Sequence, residues 1–336
     1  MQKYPESISL ANLPTKIEKL ERLTKQLGGP EIWIKRDDQT GTELSGNKVR
    51  KLEFSVKEAL ANGCDYLITC GAIQSNHARA TAAVGAKLGL GVILLLAGDG
   101  NVKPEGNHFL DLLFGAEIRF ISGKEYGERR TEIMESFVEE LKLKGHKGYI
   151  IPEGASNGIG SFGYLKAMQE IHKQEAELGF EFDCIVSATG SGGTYAGLLL
   201  GDFEKKKTRR ILGFAVGKDS TYFDLEVSKI IIESGKLMGM KLDPSNYKID
   251  VNDQYIGKGY AKSSKEELEF IIDFAKLEGI VLDPVYTGKA MYGLVEEIKK
   301  GNLKDCKRIL FIHTGGLFGL LGKTDEVMES IERRKS

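Results

Sequence analysis

Prolines, cysteines and tryptophan are scarce in this chain. Its 336 residues include 7 prolines, 4 cysteines and 1 tryptophan. So few prolines disfavour a proline-rich linker or a disordered chain, and the absence of a visible repeat disfavours collagen. Glycine, in contrast, is abundant: the 41 glycines are about 12% of the chain, against about 7% in average proteins. This surplus suggests many tight turns between strands and helices.

An excess of charge of either sign is also absent. The 47 basic and 48 acidic side chains give a formal net charge of −1, so the chain has no overall field to hold nucleic acid or an anionic membrane. The longest apolar stretch, Leu88 to Gly98, is too short to span a bilayer and is typical of a buried strand. We therefore expect a small neutral or zwitterionic partner, with no nucleic acid and no membrane.

The cysteines lack the spacing of a metal site or a redox motif. Cys64, Cys70, Cys184 and Cys306 form no C-x-x-C pair and no zinc pattern, as is typical of free thiols in a reducing compartment. The first residues lack the apolar region of a signal peptide. We therefore expect a cytoplasmic protein without a metal.

Short β-branched segments alternate with longer helical patterns along almost the whole chain. This alternation predicts an α/β protein with mainly parallel sheets. The length predicts about two domains, and because no long linker separates them, the domains are expected to be interleaved. Near the N-terminus, a capping box from Thr15 to Glu18 predicts a helix that ends at Gly28. The predicted strands begin near residues 32, 66, 92, 118, 149, 184, 211, 247 and 309.

Two glycine-rich segments imitate nucleotide-binding motifs. Gly158 to Gly163 reads G-x-G-x-x-G, but its glycines lie about seven residues beyond the preceding predicted strand, whereas a nicotinamide-binding fingerprint needs them in the turn itself. Gly322-Lys323-Thr324 resembles the end of a P-loop, but Leu317 stands where that motif requires its first glycine. Neither segment is favoured as a phosphate site.

A third segment, Thr189 to Thr194, directly follows a predicted strand and precedes an apolar helix. Its glycines let backbone N–H groups converge, its hydroxyls add donors, and the helix N-terminus favours an anion. These features suit the phosphate of a cofactor. A glycine turn that merely allows close packing of helix and strand is the structural alternative.

A phosphorylated cofactor that also binds covalently to a lysine is pyridoxal phosphate. Lys48 lies in the first turn of a predicted helix, where the helix dipole disfavours a cation and lowers its pKa. Lys51, three residues further on, is predicted to lie on the solvent-exposed face. Lys289, which follows Gly288, is the alternative, and the residues alone favour Lys48 over it only by a small margin.

The segment Gly71 to His77 follows a predicted strand and opens a helix. N–H groups at such a helix start can bind a carboxylate, and Ser75 can either cap the helix or act in catalysis. His77 is equally consistent with a packed, neutral histidine, because no metal ligand or nucleophile is paired with it.

Five segments in order carry a resemblance over nearly the whole chain, from about Pro14 onward. They are Gly46 to Glu53, Gly71 to Arg79, Thr189 to Thr194, Leu282 to Lys289 and His313 to Gly316. Together they resemble the 1-aminocyclopropane-1-carboxylate deaminase and D-cysteine desulfhydrase family, pyridoxal-phosphate enzymes of fold type II, the tryptophan-synthase β-subunit type. The resemblance implies a homodimer. It also implies two interleaved three-layer domains: a larger cofactor domain (1–50 and 154–336) and a smaller inserted one (51–153) carrying the carboxylate loop.

The resemblance also implies a role for each site residue. Lys48 resembles the Schiff-base lysine for pyridoxal 5′-phosphate, and Asn76 resembles the partner of the cofactor's 3-hydroxyl. Ser75, Asn76 and His77 resemble the substrate-carboxylate loop, and Gly158 falls in a family loop near the substrate. The cofactor phosphate is expected at Thr189, Gly190, Ser191, Gly192, Gly193 and Thr194. Tyr260 and Tyr286 match active-site tyrosines, and either of them or Ser75 is the second acid or base.

Three positions favour the desulfhydrases over the deaminases. Thr287 and Thr314 stand where the deaminases carry Glu and Leu around the pyridine nitrogen, and His77 stands where they carry Gln. A carboxylate would keep that nitrogen protonated, whereas a hydroxyl can hydrogen-bond an unprotonated nitrogen, a weaker electron sink that suffices for a good leaving group. The resemblance therefore implies α,β-elimination of D-cysteine to pyruvate, hydrogen sulfide and ammonia.

Several alternatives stay open. Within the family they are L-cysteate sulfo-lysis, D-serine dehydration or another β-elimination, and 1-aminocyclopropane-1-carboxylate deamination. From other classes they are a nicotinamide-dependent dehydrogenase, through the Gly158 loop, and a non-catalytic amino-acid-binding protein.

Overall fold

A computed structural model describes residues 4–205 and 209–334 and contains two sheets. The strands are β1 (Ile17–Lys19), β2 (Glu31–Lys35), β3 (Tyr66–Ala72), β4 (Gly91–Ala97), β5 (Glu117–Ile121), β6 (Gly148–Ile150), β7 (Cys184–Thr189), β8 (Arg210–Ala215), β9 (Val251–Asn252) and β10 (Arg308–Ile312). The helices are α1 (Glu21–Leu27), α2 (Asn47–Ala61), α3 (Asn76–Leu88), α4 (Gly106–Leu113), α5 (Gly123–Leu143), α6 (Gly158–Leu178), α7 (Gly193–Glu204), α8 (Ser220–Leu237), α9 (Lys265–Glu278), α10 (Thr287–Lys299), α11 (Leu317–Leu321) and α12 (Thr324–Arg333). None of these helices is both long and apolar enough to cross a membrane.

The two sheets interleave along the chain. The larger has the strand order β1-β2-β10-β7-β8-β9 and the smaller β5-β4-β3-β6. The pairings are parallel except that of β1 with β2. Strands of the smaller sheet lie between those of the larger one in sequence, so the chain leaves the larger sheet and returns to it. The predicted α/β fold with mainly parallel sheets is therefore confirmed, while the limits of the two domains stay a prediction.

The central strands are apolar on both faces because helices cover both. Along β7, Ile185 packs into a core with α6 and α7, whereas its neighbours Cys184 and Val186 pack into a second core with α10. Adjacent side chains of a strand point to opposite faces, so a strand buried on both sides has no polar alternation. This is why the strands could be predicted as continuous apolar runs.

The N-terminal prediction is wrong at its start. Residues Ile17–Lys19 form a strand and the first helix begins at Glu21, because Thr15 caps no helix and instead donates its hydroxyl to Asp37 Oδ1 at 2.6 Å. The predicted helix end is confirmed, since Gly28 has φ 64°.

The strand predicted from residue 247 is shorter than expected. Only Val251–Asn252 pairs with β8. The Asp250 N–H donates to the Tyr195 hydroxyl at 2.7 Å rather than to a neighbouring strand, which shortens the pairing at this end.

A buried ion network fixes α2 against β2 and α6, and it consists of Lys35, Asp37, Arg50 and Glu170. Arg50 donates to both oxygens of Asp37 at 2.9 Å and to Glu170 Oε2 at 3.0 Å. Lys35 donates to Glu170 Oε1 at 2.6 Å. Although burial alone would raise the pKa of Asp37, the Arg50 and Lys35 charges and the hydrogen bonds hold it at about 2. The network therefore holds the helix that carries Lys48 in one position.

Candidate active site

A cavity of about 710 Å³, including the part open to solvent, lies where strands of both sheets end. Gly71 and Ala72 end β3, Thr189 ends β7, and Thr314 follows β10. Binding sites of parallel α/β proteins lie at the carboxyl ends of the strands. Of the residues predicted for the site, those lining the cavity are Lys48, Ser75, Asn76, His77, Thr189, Gly190, Ser191, Gly192, Thr194, Tyr260, Tyr286 and Thr314.

Lys48 reaches this cavity from the first turn of α2. The preceding Gly46 has φ 86°, and a side chain there would come within 2.7 Å of Thr314 O, so only glycine fits. Burial lowers the pKa of Lys48 to about 8, against the opposing effect of the Glu153 carboxylate. A lysine with such a pKa has an appreciable fraction of neutral, nucleophilic amine near neutrality.

Lys289, the alternative lysine, lies elsewhere. Its ammonium donates to the carbonyls of Ile256 and Gly259, at 2.5 and 2.9 Å, and lies 3.9 Å from Glu267. These partners hold it beside α9, outside the cavity lining. Between the two candidates, the structure therefore places only Lys48 in the cavity.

The loop from Thr189 to Thr194 connects β7 to α7. Asn47 Nδ2 donates to Thr194 Oγ1 at 3.0 Å, which ties the loop to the start of α2. The Thr189 hydroxyl is buried without a hydrogen-bond partner in the described part of the chain. Gly192 has φ 85° and α7 begins directly after it. This loop can therefore offer backbone N–H groups, hydroxyls and a helix N-terminus to an anion.

Lys51 is fully buried beside this loop, so its predicted exposure is wrong. Its Nζ donates to Ser156 Oγ at 2.9 Å, and a side chain on Gly193 would come within 2.6 Å of that Nζ. Residues three apart on a helix share a face, which places Lys51 on the side of Lys48. Within residues 4–205 and 209–334, no carboxylate forms an ion pair with it. Burial, and then the nearby Lys48 charge, lower the pKa of Lys51 well below its usual value, because the surrounding residues that the structure describes supply no counter-charge. A phosphate at the adjacent loop would supply that charge and favour the ammonium form.

The start of α3 forms the opposite side of the cavity. Ser75 is the N-cap, and its hydroxyl oxygen accepts from Ala78 N at 3.1 Å while keeping its own hydrogen to donate. The N–H groups of Asn76 and His77 precede the first intrahelical hydrogen bond, so they are available to a ligand. This geometry suits a carboxylate.

His77 is neutral and carries its proton on Nε2. The Thr69 hydroxyl donates to Ile151 O at 2.7 Å, so its contact with His77 Nε2 at 2.8 Å must be accepted from an Nε2–H. Burial and the nearby Lys48 and Lys51 charges keep the pKa of His77 well below its usual value. Its Nδ1 can therefore only accept, which leaves the backbone N–H of His77, not its ring, to bind a carboxylate.

Two tyrosines close the cavity, with their hydroxyls 2.6 Å apart. Tyr286 immediately precedes α10, and its backbone N–H donates to Asp283 Oδ2 at 2.9 Å. Burial and the neighbouring Tyr260 raise the pKa of Tyr286 well above its usual value. Both hydroxyls can hydrogen-bond within the cavity, and Tyr286 keeps its proton at neutral pH.

Thr287 and Thr314 are not equivalent. Thr314 lines the cavity. The Thr287 hydroxyl donates to Asp283 Oδ1 at 2.7 Å and accepts from Asp283 N at 2.8 Å, and the residue is fully buried outside the cavity lining. The predicted pair of threonines facing the cofactor is therefore reduced to Thr314 in this structure, because the hydrogen of Thr287 is already used.

The placement of Gly158 near the substrate is not reproduced. Its N–H donates to Glu233 Oε2 at 2.8 Å, and a side chain there would collide with Glu233. The next N–H groups of α6 are served by Asn157, which caps the helix by accepting from Gly160 N at 3.0 Å. The glycine motif therefore serves helix packing, and its helix start is occupied rather than open to a dinucleotide.

Sequence reasoning missed Glu153, which lines the cavity and whose charge acts on Lys48. It lies three residues beyond the end of β6, and a position just after a parallel strand is the signal that could have identified it.

Fold and cavity together define an α/β enzyme that holds a phosphorylated cofactor beside a lysine. The chain matches the family described as pyridoxal-phosphate dependent enzyme over residues 8–315. It is 42% identical over 330 residues to the mitochondrial bifunctional D-cysteine desulfhydrase/1-aminocyclopropane-1-carboxylate deaminase of Arabidopsis thaliana, covering 96% of this chain and 80% of that protein. It is 38% identical over 321 residues to the D-cysteine desulfhydrase of Klebsiella pneumoniae, covering 94% and 95%.

A solved structure agrees. The crystal structure of an ACC deaminase homologue superimposes with a TM-score of 0.89 at 39% identity, covering 98% of this chain and 97% of that one. The chain belongs to the pyridoxal-phosphate-dependent enzyme family, within the deaminase and desulfhydrase group that its five motifs resemble, and pyridoxal 5′-phosphate is its cofactor.

Proposed function

We propose that this chain is a D-cysteine desulfhydrase, which eliminates hydrogen sulfide from D-cysteine. The released aminoacrylate then takes up one water and hydrolyses to pyruvate and ammonia. The observation that carries the proposal is that Thr314 lines the cavity, while Thr287 stands where, by the resemblance, the deaminases carry a carboxylate. Without a carboxylate there, the ring nitrogen is not held protonated, and a weaker electron sink is sufficient only if the β-substituent leaves readily. A thiol is such a substituent.

Each part of the cavity can be given a task. The bound cofactor withdraws electrons from the α-carbon of the substrate, so that its proton becomes removable. The loop from Thr189 to Thr194 and the Lys51 ammonium hold the phosphate, and Asn76 hydrogen-bonds the 3-oxygen of the ring. The Ser75 hydroxyl and the first N–H groups of α3 hold the substrate carboxylate. This binding orients the α-proton towards Lys48.

Lys48 is the proposed base for the α-proton. Its pKa of about 8 provides a neutral amine near physiological pH while keeping that amine basic enough to take a proton. Tyr286 is unsuited to that task, because its raised pKa keeps the hydroxyl protonated. Its hydroxyl can instead donate a hydrogen bond to the departing sulfur without giving up its proton, and Tyr260 hydrogen-bonds Tyr286 in place.

The negative charge of Glu153 favours D-cysteine over L-cysteate as the substrate. Glu153 lines the cavity, and its negative charge acts on Lys48. The sulfonate of cysteate would enter the cavity with a second negative charge, and like charges repel more strongly in a site partly shielded from water. A neutral thiol meets no such penalty.

A side-by-side assay tests the proposal. Pyruvate would be measured from D-cysteine, L-cysteine, L-cysteate and D-serine, and 2-oxobutyrate from 1-aminocyclopropane-1-carboxylate, with the Lys48→Ala variant as the blank. We expect the highest kcat/KM with D-cysteine. Deamination of the cyclopropane acid is the second candidate, because the relative from Arabidopsis thaliana is named for both activities. Turnover mainly of that acid or of L-cysteate would overturn the proposal.

A further inference from the structure

A chain of hydrogen bonds runs behind the cavity from Arg79 to Asn76 through Asn107. Arg79 Nε donates to Asn107 Oδ1 at 3.2 Å. Asn107 Nδ2 donates to Gln74 O at 3.0 Å and to Asn76 Oδ1 at 2.9 Å. Arg79 and Asn107 are buried. Of these residues, only Asn76 lines the cavity.

The polarity of this chain follows from its two fixed ends. A guanidinium can only donate, so the Asn107 atom that faces Arg79 must be its oxygen. A backbone carbonyl can only accept, so the Asn107 atom that faces Gln74 O must be its nitrogen. Both ends require the same orientation of the Asn107 amide, and this orientation presents an N–H to Asn76. The side-chain oxygen of Asn76 must therefore accept this hydrogen bond.

We propose that Asn107, oriented by Arg79 and Gln74 O, is a positioning residue that turns the NH2 group of Asn76 towards the cavity. The inference rests on the proposed contact of Asn76 with the 3-oxygen of the cofactor ring. In that contact the Asn76 side chain donates through its NH2 group, because its oxygen already accepts from Asn107. A donor stabilises the ionised ring oxygen relative to the neutral hydroxyl.

Neighbouring groups hold the side chains of Arg79 and Asn107 in place. The Arg79 guanidinium also donates to the carbonyls of Glu43 and Ser45, and it lies 5.2 Å from the centre of the Phe318 ring. Gly319 of α11 covers the junction, since a side chain there would lie 3.3 Å from Asn107 Nδ2. α11 and α4 therefore enclose these hydrogen bonds, and Asn107 cannot reverse its amide by exchanging its partners for water.

Asn107→Asp tests the orientation directly. The substitution preserves the size of the side chain but replaces its N–H donor by an oxygen, so the Asn76 amide must turn and present its oxygen to the cofactor. In the holoenzyme at one pH, we expect the ratio of visible to near-ultraviolet absorption of the bound cofactor to fall. Its affinity should fall about tenfold or more, the equivalent of one hydrogen bond to a charged group. Asn101→Asp, an exposed site in the same segment, adds the same charge and should change neither.

The Asn76→Ala background separates positioning from a general structural effect. Asn76→Ala alone should lower the absorption ratio, and adding Asn107→Asp should lower it no further. An unchanged ratio in the single Asn107→Asp variant would overturn the inference, as would an equal fall in both backgrounds. An unchanged ratio in Asn76→Ala would refute the contact of Asn76 itself. The elimination of D-cysteine is tested separately by the substrate assay.

A measurement on the wild-type chain covers the case in which the variants do not fold. In the apoprotein, NMR should show both side-chain amide hydrogens of Asn107 protected from exchange, because each has an acceptor. Those of Asn76 should exchange with water until the cofactor is added. Protected Asn76 amide hydrogens in the apoprotein would mean that the NH2 group faces Asn107, contrary to the inference.

Discussion

Two faces of the same helix, α2, carry buried charges that are treated in opposite ways. On one face, Arg50 has a carboxylate partner on each side in the buried ion network. On the other face, the Lys51 ammonium meets only the Ser156 hydroxyl, and Lys48 has no hydrogen bond within the described part of the chain. The paired face stabilises the fold, and the unpaired face is left for a ligand that brings its own negative charge.

The pKa values show the same contrast. Pairing with Arg50 favours the ionised form of Asp37 and holds its pKa at about 2. Burial without a hydrogen-bonded partner among the described residues disfavours the cation of Lys48 and lowers its pKa to about 8, although the Glu153 charge opposes this effect. Unpaired buried groups destabilise the apoprotein. A cofactor phosphate that pairs with Lys51 offsets this cost, so the cofactor should raise the stability of the chain.

The largest expected effect comes from breaking the paired face. Asp37→Asn leaves Arg50 buried with one partner fewer and should lower the free energy of unfolding by about 3–5 kcal/mol in denaturant titrations near neutral pH. Asp38→Asn, in a partly exposed pair with Arg36, should cost less than about 1 kcal/mol. A stable Asp37→Asn variant that has lost activity would contradict the conclusion that this face of α2 stabilises the fold.

The paired face also has a pH signature. The pKa of Asp37 falls from 3.8 to about 2 on folding, so its stabilising contribution is complete above the unfolded value. That contribution is lost as the pH falls from about 4 to about 2. The stability of the wild type should therefore drop more steeply than that of Asp37→Asn in this range.

Removing the charge from the unpaired face should have the opposite effect on stability. Lys51→Met should weaken the binding of pyridoxal phosphate to the apoprotein about 10- to 100-fold, the loss of about one charge-assisted contact. The unfolding free energy of the apoprotein should hold or rise, because the variant no longer buries an amine whose pKa is lowered well below its usual value by burial and the Lys48 charge. Spectral titration and chemical unfolding measure the two quantities, with Lys57→Met on the same helix as the control. Undiminished affinity for the cofactor would show that Lys51 does not face the phosphate.

Glu153→Gln gives the smallest expected change. Removing this charge from the cavity should raise the ratio of kcat/KM for L-cysteate to that for D-cysteine about tenfold, or about 1.4 kcal/mol. The exposed Glu135→Gln serves as the matched control. If the ratio does not move in Glu153→Gln, electrostatic repulsion does not select the substrate.

Most of the fold could be predicted from the sequence because its strands are apolar on both faces. β7, for instance, is a continuous buried run between turn residues. The structure that follows Thr15 could not be predicted, since the same residues suit a capping box and a short edge strand. Only the long-range contact of Thr15 with Asp37 decides between them.

For the site, local patterns indicated the loop from Thr189 to Thr194, whereas they favoured Lys48 over Lys289 only by a small margin. Lys51 was predicted on the wrong face although its spacing of three from Lys48 indicated the right one. Asn107 could not be predicted, because it contacts Asn76 across two helices, and the two residues are 31 positions apart in the chain. Thr287 shows the same limit: it was predicted to face the cofactor, but its hydroxyl is used by Asp283, and this contact could not be predicted.

The contrast between the two faces of α2 is tested most directly by locating the covalent link to the cofactor. Purified holoenzyme would be reduced with borohydride, digested, and its peptides analysed by mass spectrometry. The account predicts the reduced cofactor on Lys48 and no labelled peptide in Lys48→Ala. Label on Lys51 or on Lys289 instead would contradict it.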